Sequence, residues 1–241
     1  MDSGWCLITG CNSRLGAEIA LKAAGLGYGI LAHYHSSRAR IDSLASRIER
    51  LQAVKADLGS AQGIETLCKI ITEQKGSIRA LVNNAATIGS ESKLSEINLS
   101  LLENVFRVNA FAPALLGIHA LEAMKESGGK IINISSIAAK YGGGETTLPY
   151  GLSKAALEGL TQGLSRAGLP YGILVNTIRA GLIDTDFHSK QTPGKDMNAR
   201  VAKHPMGRMA RPEEIAAMVG LLLSDQGNYI AGETLTVSGG E

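Results

Sequence analysis

Cysteine is scarce in this sequence, which has three cysteines among 241 residues. Cys6, Cys11 and Cys68 have no pair spacing, and no histidines cluster near them. This pattern argues against a disulfide framework and against a zinc site, and it favours reduced, buried thiols. We therefore expect a protein without a metal centre.

Net charge is also small, because the formal value at pH 7 is only +2. With 44% hydrophobic and 19% charged residues, the composition argues against disorder and against a nucleic-acid-binding surface. No apolar run approaches the ~20 residues that a membrane-spanning helix needs, and residues 1–4 carry no basic leader segment. We expect a cytoplasmic protein whose partners are small molecules rather than nucleic acids or membranes.

Short β-rich runs alternate with helical patterns along the whole chain. The predicted strands are Trp5–Thr9, Gly29–Tyr34, Ala53–Ala56, Ala80–Asn83, Lys130–Ile134, Ile173–Ile178 and Thr234–Val237. Near-continuous apolar strands indicate burial on both faces, so the fold class is α/β, a Rossmann-type doubly wound parallel sheet of about seven strands. We expect one domain over residues 1–241, with an aperiodic segment at about 182–211 acting as a substrate lid.

A glycine-rich turn follows the first predicted strand in the stretch "LITGCNSRLGAEIA". A strand that delivers such a turn to a helix N-terminus is typical of a phosphate-binding loop. Gly10 and Gly16 hold the outer glycine positions, and Arg14 replaces the middle glycine. A side chain there would obstruct the closest approach of a pyrophosphate, but a guanidinium group can pair with phosphate oxygens.

A second pattern, "YGLSK", places Tyr150 and Lys154 four residues apart at the head of a helical stretch. Both side chains then fall on one helix face, where the cation is expected to lower the pKa of the tyrosine hydroxyl and prepare it as an acid or base. The upstream run "NISS" ends a buried strand, which puts Ser135 or Ser136 at the carboxyl edge of the sheet. Such a hydroxyl could hold a substrate carbonyl.

The order of these motifs, together with "NNAA", "FRVNAFAP" and "IRAGLIDT", resembles the short-chain dehydrogenase/reductase family along nearly the whole chain. The resemblance implies that Tyr150 is the proton donor and that Lys154 both lowers its pKa and grips the nicotinamide ribose. It also implies that Ser136, rather than Ser135, orients the substrate carbonyl. Asn109 would hold a proton-relay water.

The same resemblance implies a set of residues for binding a nicotinamide dinucleotide. Asp57 would bind the adenine, Thr185 would meet the carboxamide, and Asn84 matches the family's "NNAG" motif. The full set is Gly10, Ser13, Arg14, Leu15, Gly16, Tyr34, His35, Ser36, Ser37, Asp57, Leu58, Asn84, Ala85, Tyr150, Lys154, Gly181, Ile183 and Thr185.

The end of the second strand indicates which dinucleotide is bound. An NAD-selective site usually has an acidic residue there, yet no Asp or Glu occurs from Leu26 to Arg40, and Tyr34 holds the selective position. His35, Ser36, Ser37 and Arg38 follow as hydrogen-bond donors and positive charge suited to a 2′-phosphate. We expect NADP(H) rather than NAD(H).

Two branches of the family share features with this sequence. Arg14 resembles the pteridine reductases, whose loop reads TGxxxRxG, whereas "HPMGRMARPEEIA" and the serine, tyrosine and lysine set resemble the 3-oxoacyl reductases. We expect reduction of a carbonyl, because Ser136 is neutral and Ile88 replaces an aromatic that would stack on a pterin. Dihydropterin reduction is the alternative, and a catalytically silent dinucleotide sensor is a third possibility. The resemblance also implies a homo-oligomer, a tetramer.

Overall fold

Seven parallel strands form one sheet in the computed structural model, which describes residues 3–75, 77–192, 194 and 196–241. The strand order is β3-β2-β1-β4-β5-β6-β7, so the chain starts at the centre and winds outward in both directions. This order confirms the predicted doubly wound Rossmann-type fold. The strands are β1 (Trp5–Ile8), β2 (Gly29–Tyr34), β3 (Leu51–Lys55), β4 (Ile78–Asn83), β5 (Gly129–Ser136), β6 (Ile173–Ala180) and β7 (Thr234–Val237).

Helices cover both faces of this sheet. They are α1 (Arg14–Gly25), α2 (Ala39–Ala45), α3 (Ala61–Glu73), α4 (Leu99–Phe106), α5 (Ala112–Met124), α6 (Ala138–Tyr141), α7 (Leu148–Gly168), α8 (Asp186–Gln191), α9 (Met197–Ala202) and α10 (Pro212–Leu223). One apolar core lies under α1 and α10, and a second lies under α3, α5 and α7. Burial on both faces accounts for the near-continuous apolar strands.

The strand boundaries differ most from the predicted ones at four strands. β3 and β4 each begin two residues earlier than predicted, while β5 and β6 each end two residues later. At the carboxyl end of the sheet, β5 and β6 stay in register to the pair Ser136 and Ala180. Ser136 is therefore the last residue of β5 rather than a residue beyond the strand.

One long helix spans Leu99–Met124 without interruption, because a π-helical segment, Arg107–Phe111, joins α4 to α5. By length and composition alone this helix is long and apolar enough to cross a membrane, although polar and charged residues interrupt its apolar sequence. Here α5 packs against α3, α7 and β4, and a core helix satisfies the same length and composition test.

The segment predicted as a lid begins and ends at one point of the fold. Ile183 and Ala210 form an isolated parallel bridge, in which Asp184 N donates to Ala210 O at 2.8 Å. Between these residues the chain forms α8 and α9. The segment thus leaves and rejoins the sheet edge through a hydrogen-bonded neck.

All three cysteines are buried, as predicted. Cys6 lies in β1 and Cys11 in the glycine loop, and neither has an exposed surface. Burial raises the pKa of the Cys11 thiol to about 12 and also raises the pKa of Cys6. Among the described residues, no group of three or more His, Cys, Asp or Glu side chains could hold a metal ion.

Candidate active site

A cavity of about 880 Å³ opens at the carboxyl ends of the central strands. This is the edge where doubly wound sheets bind ligands. The predicted site residues that line the cavity are Gly10, Ser13, Leu15, His35, Asp57, Leu58, Asn84, Ala85, Ser136, Tyr150, Lys154, Gly181, Ile183 and Thr185. The other predicted residues lie outside the lining set: Arg14, Gly16, Tyr34, Ser36, Ser37 and Asn109.

The glycine loop at the cavity floor is shaped by close backbone contacts. Gly10 has φ +66°, a conformation that favours glycine. A β-carbon on Gly16 would lie 2.3 Å from Gly10 O, so Gly16 is required by packing within the loop itself. Ser13 caps α1 by accepting a hydrogen bond from Gly16 N at 2.9 Å. The N-terminus of α1 therefore faces the cavity as an anion-binding end.

His33 of β2 holds this loop in place, a contact that the sequence analysis missed. Its Nδ1 accepts a hydrogen bond from Gly10 N at 3.0 Å, and its Nε2 lies 3.1 Å from Ala56 O. These partners require a neutral ring that donates from Nε2. Burial lowers the pKa of His33 to about 4, so the ring stays neutral at pH 7.

Arg14 makes a contact that the sequence did not indicate. Its guanidinium lies 3.4 Å from the carboxylate of Asp184, at the neck of the lid segment. Both side chains are more than one-third exposed, so the pair is a surface ion pair of small energy. It nevertheless joins the glycine loop to the chain that follows β6.

The end of β2 carries the groups expected to select the dinucleotide. His35 Nε2 lies 3.8 Å from the Asp57 carboxylate, and both residues line the cavity. Tyr34 is buried. Arg38 was expected to offer its charge to a 2′-phosphate, but its Nε donates to Asp42 at 2.8 Å. Asp42 is an exposed i,i+4 partner on α2, so the expected contact of Arg38 with a 2′-phosphate stays a prediction.

Tyr150 and Ser136 meet at the other end of the cavity. Burial raises the pKa of the Tyr150 hydroxyl, although the Ser136 hydroxyl and the Arg200 cation partly oppose this. The expectation that Lys154 lowers this pKa is therefore wrong for the protein alone. The Lys154 ammonium lies 5.8 Å from the centre of the Tyr150 ring and donates to Ile134 O at 2.7 Å.

Lys154 is 2% exposed. Burial lowers the pKa of its ammonium group to about 7, and the Glu158 carboxylate partly opposes the shift. A lysine in this setting is only partly charged at neutral pH.

Glu158 lies one helical turn beyond Lys154 and belongs to a network that sequence reasoning missed. Its carboxylate accepts from Arg179 Nε and Nη2 at 2.9 and 2.6 Å and from Ser135 Oγ at 2.8 Å. The i,i+4 spacing of Lys154 and Glu158 on α7 was the available signal. Both Ser135 and Ser136 line the cavity, but the Ser135 hydroxyl is bound to Glu158 in this network.

Asn109 is fully buried in the π-helical segment. Its amide holds both backbone groups of Thr87, accepting from Thr87 N at 2.9 Å and donating to Thr87 O at 2.8 Å. It also donates to Ser153 Oγ at 3.0 Å, one residue before Lys154. Asn109 therefore ties the loop after β4 to α7.

The lid segment brings further side chains into the cavity that the sequence did not identify. The Phe187 ring packs 6.0 Å from the Tyr150 ring at an angle of 45°. Gln191 Oε1 accepts hydrogen bonds from Thr87 Oγ1 and Ile88 N at 3.2 and 3.0 Å. Arg200 of α9 also lines the cavity. The aperiodic sequence of this segment gave no signal for these contacts.

Comparison with known proteins agrees with this arrangement. A family model described as Enoyl-(Acyl carrier protein) reductase matches residues 10–241. The 3-oxoacyl-(acyl-carrier-protein) reductase FabG of Vibrio cholerae is 31% identical over 242 residues, covering 97% of this chain and 95% of that protein. The chain therefore belongs to the short-chain dehydrogenase/reductase family of oxidoreductases.

Solved structures resemble the whole chain. A short chain dehydrogenase from Burkholderia cenocepacia in complex with NADP has a TM-score of 0.90 and 29% identity, covering 99% of this chain and 98% of that one. A blue fluorescent protein from a metagenomic library, in complex with NADPH, has a TM-score of 0.89 and 30% identity with the same coverage. The fold and family predicted from the sequence are confirmed.

Proposed function

We propose that this protein is an NADP(H)-dependent reductase of a small-molecule carbonyl compound, either a ketone or a 3-oxoacyl-type substrate. The observation that carries the proposal is the meeting of Ser136, Tyr150 and Lys154 in one cavity with the glycine loop. A proton donor next to a dinucleotide groove is what carbonyl reduction requires.

The cavity fits a nicotinamide dinucleotide. The close contact between Gly10 and Gly16 and the N-terminus of α1 suit a pyrophosphate, and Asp57 and Leu58 line the part suited to the adenine. Thr185 and Ile183 would hold the carboxamide end. The nicotinamide, when bound, supplies the hydride. The NADP and NADPH complexes of the structural neighbours support the phosphorylated form.

Tyr150 is the proposed proton donor. Its raised pKa keeps the hydroxyl protonated at neutral pH, which is the form that can protonate the carbonyl oxygen. Ser136 would hold that oxygen by a hydrogen bond, and Lys154 would grip the ribose. Asn109, through Thr87 and Ser153, would position the loop and helix that flank the reacting carbon and hold the relay water.

The alternative of dihydropterin reduction is not favoured. It rested on Arg14, which pairs with Asp184 and does not line the cavity. The position of Ile88 offers no aromatic face, although Phe187 supplies one elsewhere in the cavity. A catalytically silent sensor would not require Ser136, Tyr150 and Lys154 to line the same cavity.

The proposal also covers the location, the oligomeric state and the partners of the enzyme. We propose a cytoplasmic homotetramer that binds neither nucleic acid nor membrane. The exposed apolar side chains Phe111, Leu115 and Ile118 on one face of α5 support assembly with further copies of the chain.

A substrate panel tests the proposal. Purified protein is mixed with NADPH or NADH and with ketones, 3-oxoacyl thioesters or dihydropterins, and cofactor oxidation is followed by absorbance. We expect oxidation of NADPH with a carbonyl substrate. Tyr150→Phe should lower turnover by about 10²–10⁴ while NADPH affinity is kept.

Tyr141→Phe is the matched control, because Tyr141 also lines the cavity but is 60% exposed. It should leave turnover within about threefold of the wild-type value. Undiminished turnover in Tyr150→Phe, or faster reduction of dihydropterins than of every carbonyl, would contradict the proposed reaction.

A further inference from the structure

One cation in the active-site cavity has no role in the reduction described above. Arg200 of α9 lines the cavity with Tyr150, Phe187 and Thr192. Among the described residues, its guanidinium group has no hydrogen bond or ion pair. Arg200 is half-buried, and an arginine that faces a cavity without a carboxylate partner has its five N–H donors available for a ligand.

Asp196, the acidic residue at the start of α9, is engaged elsewhere, because it caps the helix and accepts from Asn198 N and Ala199 N at 2.9 and 3.0 Å. Glu241 also lines the cavity, 3.6 Å from His204 Nε2, but that nitrogen bonds to Ser238 O, and Glu241 Oε2 has no hydrogen-bond partner among the described residues. Asp186, another lining residue, has interactions of its own within the chain. The Asp196 cap fixes the first turn of α9 and, with it, the backbone of Arg200.

The charge of Arg200 reaches the reacting end of the cavity. The Arg200 charge lowers the pKa of the Tyr150 hydroxyl, whereas burial raises this pKa. The guanidinium and the proton donor are therefore electrostatic neighbours, and an anion bound to one would lie near the other.

We propose that Arg200 determines substrate specificity by binding a carboxylate that the substrate carries close to its reacting carbonyl. The substrate class is thereby a keto acid, which deepens the proposed carbonyl reduction and rests on it. The planar guanidinium matches the two oxygens of a carboxylate by paired hydrogen bonds. The other anion considered for Arg200 is a phosphate of a long thioester carrier. Such a phosphate lies far from the reacting carbonyl and would not reach the position beside Tyr150.

Matched substrates test this inference. Keto acids with the carboxylate one, two or three carbons from the carbonyl are compared with their methyl esters. The wild-type enzyme should prefer the acid for at least one spacing. In Arg200→Gln the ratio of kcat/KM for acid to kcat/KM for ester should fall about 100-fold, the size expected when a buried charge pair loses one partner. Arg200→Lys, which keeps the charge without the fork, should give an intermediate ratio.

Lys203→Gln is the control, because it removes the same charge three residues away on an exposed side chain outside the cavity lining. Binding is measured separately from turnover by titrating the hydroxy acid and its primary amide into the protein, with and without NADPH. Hydroxy acid and NADPH are both reduced, so their complex cannot react. The wild type should bind the acid at least about 30-fold more tightly than the amide, and Arg200→Gln should lose this difference.

Three results would overturn the inference: equal binding of acid and amide by the wild type, equal effects of the two substitutions, or a loss of NADPH affinity in Arg200→Gln as large as the loss for the acid. The last result would assign Arg200 to the cofactor. Selective acid binding without reduction of any carbonyl would support Arg200 while rejecting the proposed reaction.

Discussion

At the scale of single residues, Lys154 combines deep burial with a role that needs charge. The pKa of its ammonium is about 7 in the fold and 10.5 ordinarily, so the folded protein binds fewer protons than the unfolded chain between these values. The resulting destabilisation is fully present below pH 7 and is lost as pH rises toward 10.5. Stability should therefore increase with pH over this interval.

Lys154→Met should abolish activity and raise the free energy of unfolding at pH 7 by about 1–4 kcal/mol, because an apolar side chain suits the buried position. Urea denaturation of the cofactor-free protein at pH 7 and pH 10 measures the effect. Lys203→Met, on an exposed position, serves as the comparison. A Lys154→Met protein that is less stable than the wild type at pH 7 would contradict the argument.

His33 should make the stability of the protein depend on pH in the acidic range, whereas Lys154 does so in the alkaline range. Its pKa falls from 6.5 to about 4 on folding, so the unfolded chain binds more protons between these values and stability is lost as pH falls from 6.5 to 4. The loss should reach about 3 kcal/mol. His33→Gln should remove this part of the pH dependence in denaturation curves. His35→Gln, on an exposed ring, should keep it, and an equal effect of the two changes would refute the assignment.

The sequence predicted which residues form the site better than it predicted the contacts between them. Ser136, Tyr150 and Lys154 could be found because each sits in a short motif whose local geometry is set by one strand end or one helix face. The contact of His33 with Gly10 could not be predicted, because it joins residues 23 apart and depends on strand register and on the ring tautomer. The pairing of Arg38 with Asp42, one turn along α2, was not considered in the sequence analysis.

At the scale of elements, an ion pair between Glu158 of α7 and Arg179 of β6 holds the helix against the sheet. The side chains are only 16% and 23% exposed, and the contact is bidentate. Glu158→Gln should lower the free energy of unfolding by about 2 kcal/mol, because Arg179 loses its charged partner in a partly buried site. Glu73→Gln removes an exposed pair with Lys69 and should cost less than about 0.5 kcal/mol. If chemical denaturation shows that Glu158→Gln and Glu73→Gln lower the free energy of unfolding by similar amounts, the Glu158 pair is an ordinary surface contact.

Element type was predictable, whereas element ends and irregular turns were not. Apolar strands such as "KIINIS" can lie only inside a sheet covered on both faces, so the strand series and its parallel order follow from the pattern. The continuation of β5 to Ser136 comes from pairing with β6, a partner that a local window does not contain. The π-helical turn at Asn109 breaks the helical period, which hides it from any search for regular spacing.

At the scale of the whole molecule, an apolar face formed by the end of the π-helical segment and by α5 is about half exposed in the part of the chain that the structure describes. Phe111, Leu115 and Ile118 are 51%, 45% and 54% exposed, and a groove between α3 and α5 runs beside Phe111 and Leu115. Light scattering after size exclusion should show four chains for the wild type. Ile118→Glu should give smaller species, since a buried charge opposes association.

Gln52→Glu is the control for assembly, because it adds the same charge on the edge strand β3 at an exposed position. It should leave the assembly intact. A wild-type protein that is monomeric at micromolar concentration would refute the proposed tetramer.

The buried cysteines can be used to follow how each of the two apolar layers opens during unfolding. Cys6 and Cys11 report on the layer under α1 and α10, whereas Cys68 reports on the layer under α3 and α5. All three thiols have pKa values raised by burial, so alkylating reagents reach a reactive thiolate only when the surrounding layer opens. The order in which the three sites become labelled would therefore reveal which face of the sheet opens first.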